Sequence, residues 1–197
     1  MKCKKGGDIM LSKLSEEVRN TVVATVKGTD DVLSSLRNAV KNQVTGVLGD
    51  LSEVASAGLG SVSEVVTGAV SAAGQLGGSI VDVAGSSVGA AISAVAEAGG
   101  NILSAVQNTI QGAISGAVEV GGDVGSVAVS AVESAIKTAG NLGVSTAEAA
   151  GTAAVAAIKA ADAVGSEVGS VVRKALLSAA SLPKDVIEAA IKGSDNK

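Results

Sequence analysis

A glycine doublet followed by a small polar residue returns every 22 residues through the middle of this chain. It reads Gly77-Gly78-Ser79, Gly99-Gly100-Asn101 and Gly121-Gly122-Asp123, with Gly143-Val144-Ser145 in the fourth place. A unit of fixed length implies stacked copies of one element, none of which can bury its apolar face alone. Inside each unit runs an 11-residue sub-period. One track stays polar at every step, from Asn20 and Asp31 through Glu64, Ser86, Glu97, Asn108, Glu119 and Ser130 to Thr152.

Two apolar tracks accompany it. Val26, Leu48, Leu59, Val70, Val81, Ile92, Leu103, Ile114 and Ile136 share one 11-residue lattice, interrupted by Arg37 and Gly125. Val18, Val40, Leu51, Val62, Ala73, Ala84, Val95, Val106, Ala117 and Ala128 share the other, interrupted by Thr29. Eleven residues in three turns is about 3.67 per turn, so the stripe drifts little along a straight helix and a heptad coiled coil is excluded. The fold class expected is all-α: long amphipathic helices packed through Ala, Gly and Ser. Because 22 is twice 11, the stripe keeps phase whether the chain turns at the doublets or runs through them. Gly, Ser, Val and Asp at fixed periods also describe stacked strands, which makes a β-solenoid the competing architecture.

Glycine inside a helix costs about 1 kcal/mol relative to alanine, and close approach of helix backbones is the usual return. Gly85-x-x-x-Gly89, Gly112-x-x-x-Gly116 and Gly121-x-x-x-Gly125 have that spacing. With the apolar residues beside them they form the expected self-association set: Gly85, Gly89, Ile92, Val95, Leu103, Val106, Gly112, Ile114, Gly116, Gly121 and Gly125. A second polar row, Ser71, Asp82, Ser93, Ser104, Ser115, Ser126 and Lys137, lies on the polar face, and its serines are small enough to admit another helix.

The doublets read as a helix C-terminus followed by the next N-cap. Helices are therefore expected from Ile80 to Ala98, Ile102 to Val120 and Val124 to Ala139. Ser145-Thr146-Ala147-Glu148 has a capping-box pattern, and Ala147 to Ala163 has the strongest intrinsic helix propensity in the chain. A further segment restarts at Gly165 and runs to Ala180. Pro183 suits the first turn of a last helix that Gly193 closes. Residues 1–10 read as a polar leader, 11–180 as the repeat region and 181–197 as a short C-terminal helix and tail. Within the repeat region Leu11, Leu14, Val18, Val22 and Val26 begin the helical period, and Gly28-Thr29-Asp30 marks a stop and a restart.

The composition narrows the chemistry. There is no His, Phe, Tyr or Trp, which removes imidazole bases, His-ligated metals and aromatic stacking. No metal, cofactor or small-molecule substrate is expected, and no enzyme activity. A formal charge of −4 argues against nucleic acid as a partner. The charges sit toward the ends: between Val65 and Val132 only Asp82, Glu97, Glu119 and Asp123 are charged. The lone Cys3 has no partner for a disulfide, which points to a reducing, cytoplasmic setting. Charged Asp8, Glu16, Glu17 and Arg19 interrupt any apolar run of a signal peptide. The stretch from Val65 to Val81 is uncharged and long enough to be weighed as a membrane span, but Ser, Gly, Gln and Thr dilute it.

The eleven-residue lattice with its Val, Ala, Gly, Thr and Ser composition resembles that of synucleins and perilipins, and more loosely phasins, which are amphipathic proteins of lipid and granule surfaces. That resemblance implies a helix that lies on a membrane, lipid droplet or storage granule. Its families carry lysines beside the apolar stripe, whereas the central units here have none. The residues by themselves imply a structural protein that forms a homo-oligomer or polymer, as a filament, tube or lattice, since the surface has few charges to keep copies apart. A stress protein of desiccation or freezing is the third reading.

Overall fold

The computed structural model describes residues 32–49 and 57–195, and these form eight helices with no strand among them. They are α1 (Val32–Gly49), α2 (Ala57–Gln75), α3 (Ile80–Glu97), α4 (Ile102–Glu119), α5 (Val124–Asn141), α6 (Thr146–Val164), α7 (Ser166–Ser178) and α8 (Lys184–Asp195). The polar leader, the Leu11–Val26 helix and the Gly28-Thr29-Asp30 signal lie outside the described residues. The β-solenoid is set aside by the helices themselves.

The chain turns at the glycine doublets. Gly77, Gly99, Gly121 and Gly143 have φ of 70°, 76°, 65° and 87°, a left-handed conformation that a Cβ disfavours by about 1–2 kcal/mol. Around each, the same pair of hydrogen bonds closes the preceding helix. Gly78 N–H donates to Ala73 O at 2.9 Å and Gly77 N–H to Gly74 O at 3.3 Å. Gly100 and Gly99, Gly122 and Gly121, and Val144 and Gly143 repeat the pattern, which is the Schellman closure of a helix C-terminus. The residue after each doublet then starts the next helix. Asp82 N–H donates to Ser79 Oγ at 3.3 Å, Ser104 N–H to Asn101 Oδ1 at 2.9 Å, and Ser126 N–H to Asp123 Oδ1 at 3.1 Å. Ser145 occupies the fourth such place but makes no side-chain cap bond. The capping box expected there is not formed. Pro183 precedes α8 and its carbonyl accepts from Ile187 N–H, so it occupies the N-cap. The helix passes Gly193 to Asp195, beyond the end expected from the sequence.

Asp123 is the one charged cap at these turns. The Ser126 hydroxyl, at 2.7 Å from Oδ2, and then the Ser126 amide hold its carboxyl below the usual carboxylate range. A folded-state pKa below the unfolded one contributes stability above the unfolded value of about 3.9, and that contribution is lost as pH falls through the folded value. Asp123→Ala is expected to cost about 1 kcal/mol at neutral pH. Asp123→Asn keeps a capping oxygen and loses only the acid-dependent part, so urea melts at pH 7 and pH 3 separate the two.

Each helix packs only on the next helix and the next but one, among the described residues. Ser130 Oγ donates to Val81 O and Ser134 Oγ to Gly85 O, so one turn along α5 matches one turn along α3. Next-but-one helices are therefore parallel, and consecutive helices antiparallel. The result is a two-row helical solenoid, with α1, α3, α5 and α7 in one row and α2, α4, α6 and α8 in the other. The rows meet over Ala and Val, with Ile92, Ile110, Ile114 and Ile158 as the large fully buried side chains of α3, α4 and α6. The second apolar lattice supplies this interior: Val62, Ala73, Ala84, Val95, Val106, Ala117 and Ala128 are all buried.

Candidate functional site

The helical glycines form two seams between parallel neighbours. Along α2 and α4, Gly112 and Gly116 lie against the backbone of Ser63 and Thr67. A Cβ on Gly116 would stand 2.8 Å from Thr67 O, and one on Gly112 would meet Ser63 O. Thr67 Oγ1 shares its hydrogen between Ser63 O at 3.0 Å and Gly112 O at 3.1 Å. Along α3 and α5, Gly85 lies under Ser130 Oγ, and Gly89 under Ser134 Oγ and Thr138 Oγ1. Ser130 Oγ donates to Val81 O at 2.9 Å and Ser134 Oγ to Gly85 O at 2.5 Å. Each seam thus pairs residues that lack side chains with hydroxyls that bond the backbone opposite.

This is where the residues expected to join one chain to another are found. Gly85, Gly112 and Gly116 are buried in the seams, and Gly89 is half-buried there. Gly125 receives Val171 and Ala175 of α7, while Ile92, Val95, Val106 and Ile114 are core residues between the rows. Leu103 is half-buried at the start of α4, and Gly121 is an exposed turn residue. The fold gathers most of the set within one chain.

Ser63, Thr67 and Ser134 were not singled out by the sequence, and Ser130 entered only as a step of the polar track, yet the four complete the seams. Their signal is a separation: Ser63–Gly112, Thr67–Gly116, Gly85–Ser134 and Gly89–Thr138 are each 49 residues apart. That is one 44-residue pair of units plus about a turn.

Two outward surfaces remain. A groove of about 720 Å³ runs over the α3–α5 seam, lined by Ser86, Ser93, Ser134 and Thr138 with Arg37, Asp82, Glu133 and Lys137. Its charges are of both signs, and Ser93, Ser130 and Ser134 direct their hydrogens to Gly89 O, Val81 O and Gly85 O. On the other row, α4 exposes Gln107 and Gln111 to solvent, with Ser104, Asn108, Ser115 and Val118 half-exposed. No residue from Ala98 to Val118 is charged. A shallow depression of about 250 Å³ beside it is lined by Gln107, Gln111, Val155, Ala156 and Lys159. Among the described residues no three Asp, Glu, His or Cys side chains converge as a metal site would require. One helix there, Ile80–Glu97, is long and apolar enough to cross a membrane, and half of that stretch is buried in the fold.

No protein-family model matches the chain, and no curated protein is detectably similar to it.

Proposed function

We propose that this chain is a non-enzymatic structural solenoid of the cytoplasm that assembles with copies of itself into a filament, tube or lattice. The observation that carries the reading is the uncharged outer face of α4. Soluble surfaces usually carry charge of both signs at roughly one residue in three or four, and this face carries none from the start of the helix until Glu119, its last residue. Gln107 and Gln111 have amides that both donate and accept, so the face is complementary to itself. On the α2 side it is bounded by Glu119, which Ser71 Oγ bonds at 2.5 Å, and on the α6 side by Lys159. Such a face suits an isologous contact, in which the same patch of two copies meets across a two-fold axis.

Sedimentation velocity over a concentration series, with negative-stain microscopy, tests this. The wild-type chain is expected to grow in mass with concentration. Gln107→Lys with Gln111→Lys places four like charges in a two-fold contact and is expected to leave a monomer of unchanged circular dichroism. A wild-type chain that stays monomeric and helical at high concentration overturns the reading. The apolarity of α3 supports a second one, a coat on a lipid or granule surface. Because the apolar stripes are turned inward, that role needs the helix rows to open, and co-flotation with vesicles would favour it.

A further inference from the structure

We propose that α7 and α8 are an end cap, and that the α5–α6 edge beneath them is a face on which a second copy of the chain stacks once the cap is undocked. The inference deepens the self-association reading by locating a growth face and what blocks it. Interior helices α2 to α6 have 18 or 19 residues, whereas α7 and α8 have 13 and 12. The two short helices touch α5, α6 and each other only. Nothing else in the described fold depends on them.

Their two sides differ. Val172, Leu176, Leu182 and Ile187 are buried against the array. Glu167, Lys174, Lys184, Asp185, Glu188 and Lys192 face solvent, and Val171 and Leu177 are exposed among them. Solenoids end in repeats of this kind, apolar inside and charged outside, because the edge of an interior repeat is made to receive another. The covered edge has that receiving character. Gly125 of α5 admits Val171 and Ala175, with a hypothetical Cβ at 3.2 and 3.3 Å from them, and Gly151 of α6 lies under Val186. Gly85 and Gly89 admit α5 in the same manner one layer earlier. A helix pair of another copy carries the same repeat and fits the same kind of edge.

The cap is held at two polar points, a Ser181 Oγ bond to Glu133 Oε1 of α5 and a charged latch on α6. Arg173 Nη1 and Nη2 donate to Asp162 Oδ1 and Oδ2 at 2.7 and 2.8 Å. This bidentate pair ties α7 to α6, and Gly165 alone links the two helices. Reversal of the latch is therefore a way to lift the cap without touching its apolar side.

The test uses the full chain, both as wild type and with the Gln107→Lys and Gln111→Lys changes, so that lateral contact and end stacking are read apart. Asp162→Arg sets two cations together; Leu176→Lys undocks the cap from its buried side. In either background the weight-average mass is expected to at least double at equal concentration, with helicity retained and the α7–α8 amides exchanging freely. Asp162→Arg combined with Arg173→Asp is expected to restore the parent's mass. Unchanged mass while those amides exchange freely overturns the growth face. Amides that stay protected in Leu176→Lys overturn the cap as a separable element, as does melting of the whole array. Failure of the α4 reading appears elsewhere, as a wild-type chain whose mass the glutamine changes do not alter.

Discussion

Gly112→Ala is expected to lower the free energy of unfolding by about 2–3 kcal/mol, whereas the same change at Gly46 raises it by about 1 kcal/mol. Both glycines are inside helices, where alanine is the better residue by about 1 kcal/mol. At Gly46 an added Cβ meets nothing within 4 Å among the described residues, and the position is exposed. Only the propensity gain acts there. At Gly112 the Cβ would run into Ser63 O and stand 3.1 Å from Ser63 Cα. These are backbone atoms, which cannot rotate aside as a side-chain end can, so α2 and α4 must separate along their length. Overpacking of this kind costs about 1–3 kcal/mol and occasionally more, and separation would also break the Thr67 bond to Gly112 O. Chemical denaturation followed by circular dichroism gives both signs from one series. A neutral Gly112→Ala would show that close approach of the two backbones is not what the seam glycines provide.

The contrast explains which parts of the fold were legible in the sequence. Where a helix could stop was legible, because Gly-Gly-Ser and its relatives suit a left-handed residue followed by a capping side chain, both of which act within a few residues, but whether the chain turns there or runs through was left open. The helices observed begin where those local signals place them. Which helices lie side by side was not plain. The apolar stripe has the same phase in a hairpin and in a continuous rod, so periodicity alone could not choose. The choice is made by contacts 45 and 49 residues apart, such as Thr67 with Gly112 and Ser134 with Gly85. Ser130 and Ser134 illustrate the difficulty. In sequence they are small polar residues of an amphipathic helix, equally fit for water or for a neighbour's carbonyl. The spacing of Gly85 and Gly89 did announce close helix packing, but a single sequence does not distinguish packing within a chain from packing between chains. Ser145 shows the limit even of local signals: its Ser-x-x-Glu pattern is correct and the cap bond is absent.

Ile110→Ala is expected to cost about 4 kcal/mol, in the upper part of the range of about 2–5 kcal/mol for such truncations. The range reflects how far a site collapses around the space left behind. Ile110 is fully buried in α4, and the residues that fill the interior with it are mostly alanine and valine. Short neighbours cannot swing into the vacated volume, so closing it requires helices to move. They are already at their limit, because Gly112 and Gly116 hold α4 against the backbone of α2. The cavity therefore persists, and its cost with it. Helix α4 touches α2, α3, α5 and α6 but neither α7 nor α8. In an array coupled only between near neighbours, destabilisation at one layer spreads unevenly. Hydrogen exchange of Ile110→Ala is expected to show protection lost most in α4 and the four helices it touches. Amides of α7 and α8 that exchange by local undocking are expected to keep their wild-type rates. Equal loss in every helix would mean that the chain unfolds as one cooperative unit, and a cap that lifts while the array stays folded would then have no structural basis. Graded loss would mean that the array keeps its middle intact while an end exchanges partners, which is the property that growth by stacking requires.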